Sequence, residues 1–414
     1  MARILIILYG LLGSIAAWPL CFLLRNHPNF TGTLPERLGL RLPEIPSRSK
    51  VLWIHAASVG EVKAVAGLVQ AMKSRWPDLF MCMSCMTATG RQVAAETTGI
   101  DMVFPVPFDT PRAMTRHALR IMPVALLIVE TEIWPNMILA ARRLSTPVFF
   151  VNARMSERAF ERYGRFSSTL GAVLSGVTVF AMASVDAERF RGIGAGDVKV
   201  LGNLKLDNLA TGDRSRADAL RGELGIGDRP VFIAGSVREG EEQSVVDAII
   251  RTAARVPGLY SIVAPRHPDR IAYIRDMAQG LGVKWALRSS PEPAADLLIV
   301  DTMGELFTLY GISDAAFVGG SLLDMGGQNI LEPVAWGVPT VHGPFMDNFT
   351  WALEAVHGHT TVVKDARELA DAVTGMLLDR DSSRAGGLRA REALTSSSGV
   401  TGRYLAALEQ SLLV

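Results

Sequence analysis

Two doubly wound α/β domains in tandem are what this sequence predicts, and three observations carry that expectation. From residue 50 onward, short apolar runs alternate with helix-period stretches, the pattern of parallel strands joined by crossover helices. The pattern pauses in a polar stretch, residues 209–229 (LATGDRSRADALRGELGIGDR), and then restarts. The halves also echo each other. VLWIHAASVGE and VFIAGSVREGEE each give a strand, a small-residue turn carrying Ser, and an acidic helix start. A length of 414 residues exceeds one ordinary core and suits two.

Taken in order, the chain opens with an uncharged apolar run at residues 4–24, long enough to cross a bilayer. Arg25, Arg37, Arg41, Arg48 and Lys50 follow it, against Arg3 and the amino terminus before it. That bias predicts an uncleaved anchor, residues 1–25, with the rest on the cytoplasmic side. A cleaved signal peptide with Ala16-Ala17 near the cut is disfavoured, because the apolar run continues past those alanines. Strands are expected at VLWIHAAS, LFMCMSCMT, MVFPVPF, ALLIVE and PVFFVNA, then a helical stretch near 157–175 and a strand near 176–183. VKVLGNLKLD closes an N-terminal domain of residues 26–208. After the 209–229 linker, PVFIAGS, SIVAPR, LLIVDT, AAFVGGS and PTVHG are the strands of a second domain, 230–414. The Ser-, Gly- and Arg-rich stretch 382–400 reads as a surface loop. An amphipathic helix from about 402 could pack on either domain. Ligands of such sheets sit beyond the carboxyl ends of the strands, so a cleft between the two domains is the expected site.

Bulk numbers exclude several classes. A formal net charge of +1 gives no electrostatic footprint for nucleic acid. Cys21, Cys82 and Cys85 cannot build a disulfide framework. Cys82 and Cys85 spell C-x-x-C, but on a strand they point to opposite faces, which argues for core residues rather than a metal or redox pair. HExxH, Walker A and Cys/His clusters are absent from the sequence, so no metal is expected. His55, inside a strand, reads as a satisfied core residue.

The densest signal is Phe317 to Phe349, FVGGSLLDMGGQNILEPVAWGVPTVHGPFMDNF. Its glycines permit positive φ and close approach of backbone to a ligand. Backbone N–H groups ahead of a helix make an anion site. Glu332, at the start of the helix LEPVAWG, suits sugar hydroxyls better than phosphate. Together they read as a sugar-nucleotide site. In the first half, Glu61 of AASVGE sits where a strand turns into a helix. It is read equally as a dipole-complementing residue and as a base projecting toward the cleft. Glu130 and Glu132 end the strand ALLIV, with Trp134 as an aromatic platform. Arg154, Arg158, Arg162 and Arg165 recur at helical steps. They read as an ion-paired face with Glu157 and Glu161 or as a guanidinium row for acceptor phosphates. Lys205 lies before the linker, and Arg266 follows the strand SIVAP.

ASVGE, VETEIWPN, NARMSER, GNLKLD, GSVREGEE, APRHPDR, DTMGELF and GGSLLDMGGQNILEP occur in this order. In them the chain resembles the bacterial 3-deoxy-D-manno-octulosonic acid (Kdo) transferases of lipopolysaccharide core assembly. The resemblance implies a GT-B architecture, an inner-membrane location and inverting transfer of Kdo from CMP-Kdo to the lipid A precursor, without metal or other cofactor. It implies that Glu61 is the general base and that Glu130 and Lys205 contact the transition state. Pro265, Arg266, Met303, Gly304, Glu305, Asn329, Ile330, Leu331 and Glu332 correspond to its CMP-binding segments. Arg154, Arg158 and Arg162 would then face the phosphorylated acceptor. The chain has Arg238 in GSVREGEE and Gln328 in GGQNILE, where the family commonly carries His. A transferase or epimerase using a UDP-sugar is the alternative enzyme. A membrane-tethered nucleotide-sugar binder is the non-enzymatic one.

Overall fold

The computed structural model describes residues 2–47, 49–208 and 212–412. Arg48, counted above among the charges after the anchor, and residues 209–211, which open the expected linker, lie outside the described residues. By contacts the chain forms two compact units. One comprises Met1–Asn208 with Gly399–Val414, the other Leu209–Ser398.

The first unit is built on a parallel sheet of seven strands among the described residues. They are β1 (Lys50–His55), β2 (Leu79–Cys85), β3 (Met102–Pro105), β4 (Ala125–Val129), β5 (Val148–Ala153), β6 (Val177–Ala181) and β7 (Asp197–Val200), in the order β3-β2-β1-β4-β5-β6-β7. β4 and β5 are buried along their whole length and β1 along all but its first residue. Helices cover both faces of such a sheet, which is why these runs are continuously apolar rather than alternating. Trp53, Phe104, Phe150 and Phe190 fill its core, and Cys82 joins them as a free buried thiol. The strand order reverses direction between β1 and β4. His55 stands level with Ser84 on β2 and Ile128 on β4, so their carboxyl ends share one edge.

Two further elements complete this unit. The helix Ala2–Leu24 is long and apolar enough to cross a membrane. It turns Gly10, Ala17 and Cys21 inward, at steps of one and two helical turns, and packs on helices Pro111–Ile121 and Ser167–Leu174. The C-terminal helix Val400–Leu412 buries Tyr404. The Tyr404 hydroxyl accepts the Asn152 N–H at 3.1 Å and stands 3.2 Å from the Phe180 carbonyl oxygen. Asp207 accepts the N–H groups of Val400 and Thr401 at that helix's start.

The second unit repeats the plan with β8 (Val231–Val237), β9 (Tyr260–Pro265), β10 (Trp285–Leu287), β11 (Leu297–Ile299), β12 (Ala315–Val318), β13 (Thr340–His342) and β14 (Thr361–Val362). These are ordered β10-β11-β9-β8-β12-β13-β14 and all parallel. The short edge strands β10 and β14 escape the sequence pattern, because two or three residues carry no periodicity. Here the order reverses between β8 and β12.

Three local expectations need correction. Residues 380–396 are a helix, Arg380–Ser396, rather than a loop. Asp379 caps its start, Ala390 and Leu394 are buried one turn apart, and Gly387 meets the Gly337 carbonyl where a Cβ would lie 2.2 Å away. Within 209–229, residues Arg214–Glu223 are also helical. Asp213 caps them and Ala217 and Leu220 are buried in the core. The stretch near 157–175 is two helices, Glu157–Gly164 and Ser167–Leu174. Arg154 therefore sits in the loop after β5 and Arg165 beyond the first helix, which leaves only Arg158 and Arg162 on one helical face.

Candidate active site

Glu61 owes its position to the turn after β1. Ser58 caps helix Val59–Arg75, and its Oγ accepts the Glu61 N–H at 3.4 Å. The Glu61 carboxylate folds back in return. Oε2 accepts the Ala57 N–H at 2.5 Å, and Oε1 lies 3.3 Å from the Ser58 hydroxyl. Ser58 and Glu61 thus stand as in an S-x-x-E capping box, with the Glu61 carboxylate taking the N–H one residue before the cap. This leaves the carboxylate half-buried at the carboxyl edge of the sheet, beside the strand-order reversal.

The turn after β4 supplies the neighbours. Glu130 has φ +58, a conformation that non-glycine residues adopt rarely and at a cost on the order of 1–3 kcal/mol, and its N–H is held by the Val151 carbonyl. Glu132 accepts the Trp134 indole N–H at 2.8 Å. The Trp134 ring meets His55 edge-on, with centroids 5.8 Å apart. His55 is fully buried and its Nδ1 faces the Ser84 carbonyl oxygen at 3.1 Å. The Ser84 hydroxyl stands 3.0 Å from the same nitrogen. Burial pushes the imidazole down to about 4, which makes His55 a neutral core residue.

Three carboxylates thus gather at one edge. Burial pushes the Glu61 carboxyl up to about 7, against the pull of the Ala57 N–H, and the nearby charges of Glu132 and Glu130 raise it further. Burial also raises Glu132, while the Trp134 N–H draws it partly back. A carboxyl that titrates near neutrality at the open end of a sheet has the affinity for protons that a general base needs. Lys205 stands exposed on the short 3-10 turn Leu204–Asn208, which packs against helix Val59–Arg75. Asn152, itself at φ +53, bonds the Leu204 N–H through its side chain and so holds that turn.

In the second unit the predicted segments follow β9, β11 and β12 in the chain, the last of them at the start of helix Leu331–Trp336. Pro265 ends β9. Arg266 is exposed, with its N–H on the Val237 carbonyl, and its charge acts on Glu332. Met303 is exposed and Gly304 has φ +84. The Glu305 carboxylate is bonded by Arg288 at 2.9 Å and by the Thr302 hydroxyl. Ile330 and Leu331 are buried at the start of helix Leu331–Trp336. Asn329 bridges that start: its Oδ1 accepts the Leu331 N–H, and its Nδ2 donates to Glu332 Oε1 at 2.9 Å. Burial raises the Glu332 carboxyl, opposed by the Asn329 bond and by the Arg266 charge.

The first part of the glycine-rich loop is held by a side chain that the sequence reading did not single out. Gly320, Gly326 and Gly327 do adopt positive φ. Yet the N–H groups of Gly320, Ser321 and Leu322 are not an open anion cradle. All three donate to the carboxylate of Glu241, at 2.5, 2.9 and 2.8 Å, and the Arg238 N–H adds a fourth bond at 3.0 Å. Glu241 is 1% exposed. Its neighbour Glu242 is equally buried and pairs with Arg270 at 2.6 Å. Neither residue is distinguishable in the sequence from Glu239 of the same acidic run, whose side chain is largely exposed.

Both units carry the strand arrangement of Rossmann-like domains, and a chain with two of them has the GT-B class of fold. A solved glycosyltransferase from Rickettsia africae shares it at TM-score 0.64, with 12% identity, over 88% of this chain and 99% of that one. A putative UDP-N-acetylglucosamine 2-epimerase from Listeria monocytogenes does so at TM-score 0.60 with 14% identity, over 87% and 96%. Identities this low establish the fold alone. Sequence narrows it. The family model described as 3-deoxy-D-manno-octulosonic-acid transferase (kdotransferase) matches residues 32–208. The 3-deoxy-D-manno-octulosonic acid transferase of Haemophilus influenzae is 33% identical over 409 residues, 95% of each chain. That of Bordetella pertussis is 34% identical over 393 residues, 91% of this chain and 90% of its own. The chain belongs to the 3-deoxy-D-manno-octulosonic acid transferase family, and it is a glycosyltransferase of lipopolysaccharide biosynthesis.

Proposed function

We propose that the chain transfers Kdo from CMP-Kdo to the lipid A precursor with inversion, using Glu61 as general base. The acceptor hydroxyl gives its proton to the Glu61 carboxylate as its oxygen bonds the anomeric carbon of Kdo. The bond from that carbon to the phosphate oxygen breaks on the opposite face, and CMP departs as an anion that needs no acid. The observation that carries this reading is the Glu61 carboxyl itself. It is raised to about 7, anchored through one oxygen by the Ala57 N–H, and set at the carboxyl edge of β1. Glu130 and Lys205 are assigned to the charge that develops around the transferring sugar. Lys205 and Arg266 are the cations available to the carboxylate of Kdo and the phosphate of CMP.

Asn329 and Glu332 are assigned to the ribose hydroxyls, with Ile330 and Leu331 shaping the wall beside them. Pro265, Arg266 and the turn Met303–Glu305 complete the nucleotide side. Arg158 and Arg162, with Arg154 nearby in the loop, are assigned to acceptor phosphates. The apolar helix Ala2–Leu24 would hold the enzyme on the inner membrane, with both units on the cytoplasmic side.

Incubation with CMP-Kdo and lipid A precursor, followed by mass spectrometry of the lipid, tests the reading. A Kdo-bearing product is expected, and its mass also counts the sugars added. Absence of product above background would sink the assignment. CMP, not UDP, should stabilise the fold by RT ln(1 + [L]/Kd) and so raise the thermal midpoint.

A further inference from the structure

We propose that the groove between helix Ala2–Leu24 and the segment leading into helix Pro111–Ile121 holds one acyl chain of the lipid acceptor. The inference rests on the acceptor being a glycolipid, as proposed above. The groove has a volume of about 390 Å³, with Leu12, Gly13, Ala16 and Leu20 along one side and Phe108 and Trp134 along the other. That is the small end of ligand pockets, which run about 300–1,000 Å³. It suits a single chain rather than a disaccharide.

Three observations name the occupant. The carboxylate in the groove, Asp109, is turned away from any guest. Its Oδ2 accepts the Tyr9 hydroxyl at 3.0 Å and the Asn136 N–H at 3.1 Å, and its Oδ1 accepts the Met137 N–H at 2.9 Å. What remains for a ligand is apolar wall. The helix that forms one side exposes its other faces as well, Ile4 at 62%, Ile15 at 71% and Leu23 at 75%. The groove is therefore continuous with a surface suited to hydrocarbon. At the other wall, Trp134 gives its indole N–H to Glu132, a neighbour of Glu61 in the acidic cluster. A chain seated along Trp134 leads its headgroup to that cluster.

The physical role is positional. Drawing an acyl chain out of a bilayer into water is unfavourable for every methylene. An apolar groove removes that penalty and converts lipid capture into alignment of the acceptor hydroxyl.

Filling the groove tests this. Ala16 is exposed within it, whereas Ile15 points elsewhere on the same helix. Full-length wild type, Ala16→Phe and Ile15→Phe are assayed with CMP-Kdo on lipid A precursor and on its fully deacylated glycan. Ala16→Phe should raise KM for the acylated acceptor at least about ten-fold. It should leave kcat/KM for the glycan, and binding to phospholipid vesicles, unchanged. Ile15→Phe should match wild type throughout. Equal losses on both acceptors, or equal behaviour of the two variants, would overturn the groove. Separately, lipid A precursor with a photoreactive acyl tip should label Leu12–Leu20 or Phe108–Thr110. Equal labelling there by a phospholipid with the same tip, or labelling elsewhere, also overturns it. Lack of wild-type turnover on either acceptor would instead overturn the proposed reaction, while the labelling would still report on the groove.

Discussion

The Glu241 carboxylate accepts the backbone N–H of Ser321 at 2.9 Å, and with it the N–H groups on either side. Glu241 reaches across from the turn after β8 to the turn after β12, the two strands that flank the order reversal in the second unit. A buried carboxylate without a cation is costly, and four N–H donors are what offset that cost here. The donors that would cradle a phosphate are spent on holding the loop. The nucleotide contacts proposed above, at Asn329, Glu332 and Arg266, use none of these N–H groups.

Glu241→Gln should therefore destabilise the protein and loosen the donor site. An amide offers one acceptor oxygen to four donors, and each buried donor left unmet costs about 1–3 kcal/mol. The thermal midpoint should fall, and the Kd for CMP by calorimetry should rise about ten-fold or more. A midpoint equal to wild type would refute the assignment.

Glu61→Gln should abolish the base while keeping the capping contact, since the amide oxygen still accepts from Ala57. Turnover should drop by roughly 10²–10⁴-fold with CMP affinity retained. In the wild type, kcat/KM should rise with pH through about 7, as Glu61 loses its proton. A flat profile in Glu61→Gln is the matching signature.

The same residue should weaken the fold at high pH. Its carboxyl is raised in the folded state, so between the ordinary value of 4.5 and about 7 the native protein binds more protons than the unfolded chain. Stability from this group is full below 4.5 and is lost as pH rises through 7. Glu61→Gln should thus gain on the order of 1 kcal/mol above neutrality and nothing near pH 4. Urea unfolding at both pH values measures the difference.

Tyr404→Phe should cost about 1–3 kcal/mol, because the buried Asn152 N–H loses its acceptor. Asn152 also holds the Lys205 turn, so kcat should fall several-fold while the Kd for CMP stays constant. Unchanged stability would show that the C-terminal helix contributes nothing through this bond.

Asn329→Ala should raise the Glu332 carboxyl further, since the Nδ2 bond is one of the two influences holding it down. CMP should then bind more weakly at neutral pH and recover as pH increases. Calorimetry across the pH range checks the shift, and a loss of affinity independent of pH would assign Asn329 a contact of its own.

Most of the two-sheet architecture is legible in the sequence. Continuous apolar runs such as ALLIV and PVFFVNA encode strands buried on both faces, and each of the main sheet strands is where its run predicted. The place of Glu61 was legible too, because an apolar strand run, small residues and an acidic helix start follow one another in VLWIHAASVGE. Arg154 was not, since a spacing of four residues is compatible with a helix that in fact begins at Glu157. The helix Arg380–Ser396 was hidden by its Ser and Gly content, because caps and two buried contacts outweigh composition.

By itself, then, the sequence determined what depends on neighbours along the chain: strand runs, caps, turns, the apolar N-terminal helix, and the ordered motifs of a Kdo transferase. Tertiary structure alone decided what depends on partners far apart. It buried Glu61, with Glu132 and Glu130 nearby, and so lifted one ordinary carboxyl to about 7. It seated Tyr404 under Asn152, more than 250 positions away. It chose Glu241, out of an acidic run of look-alikes, to take the loop's N–H groups. Burial and hydrogen bonding are properties of a place in space, and chain order does not record which groups arrive there together.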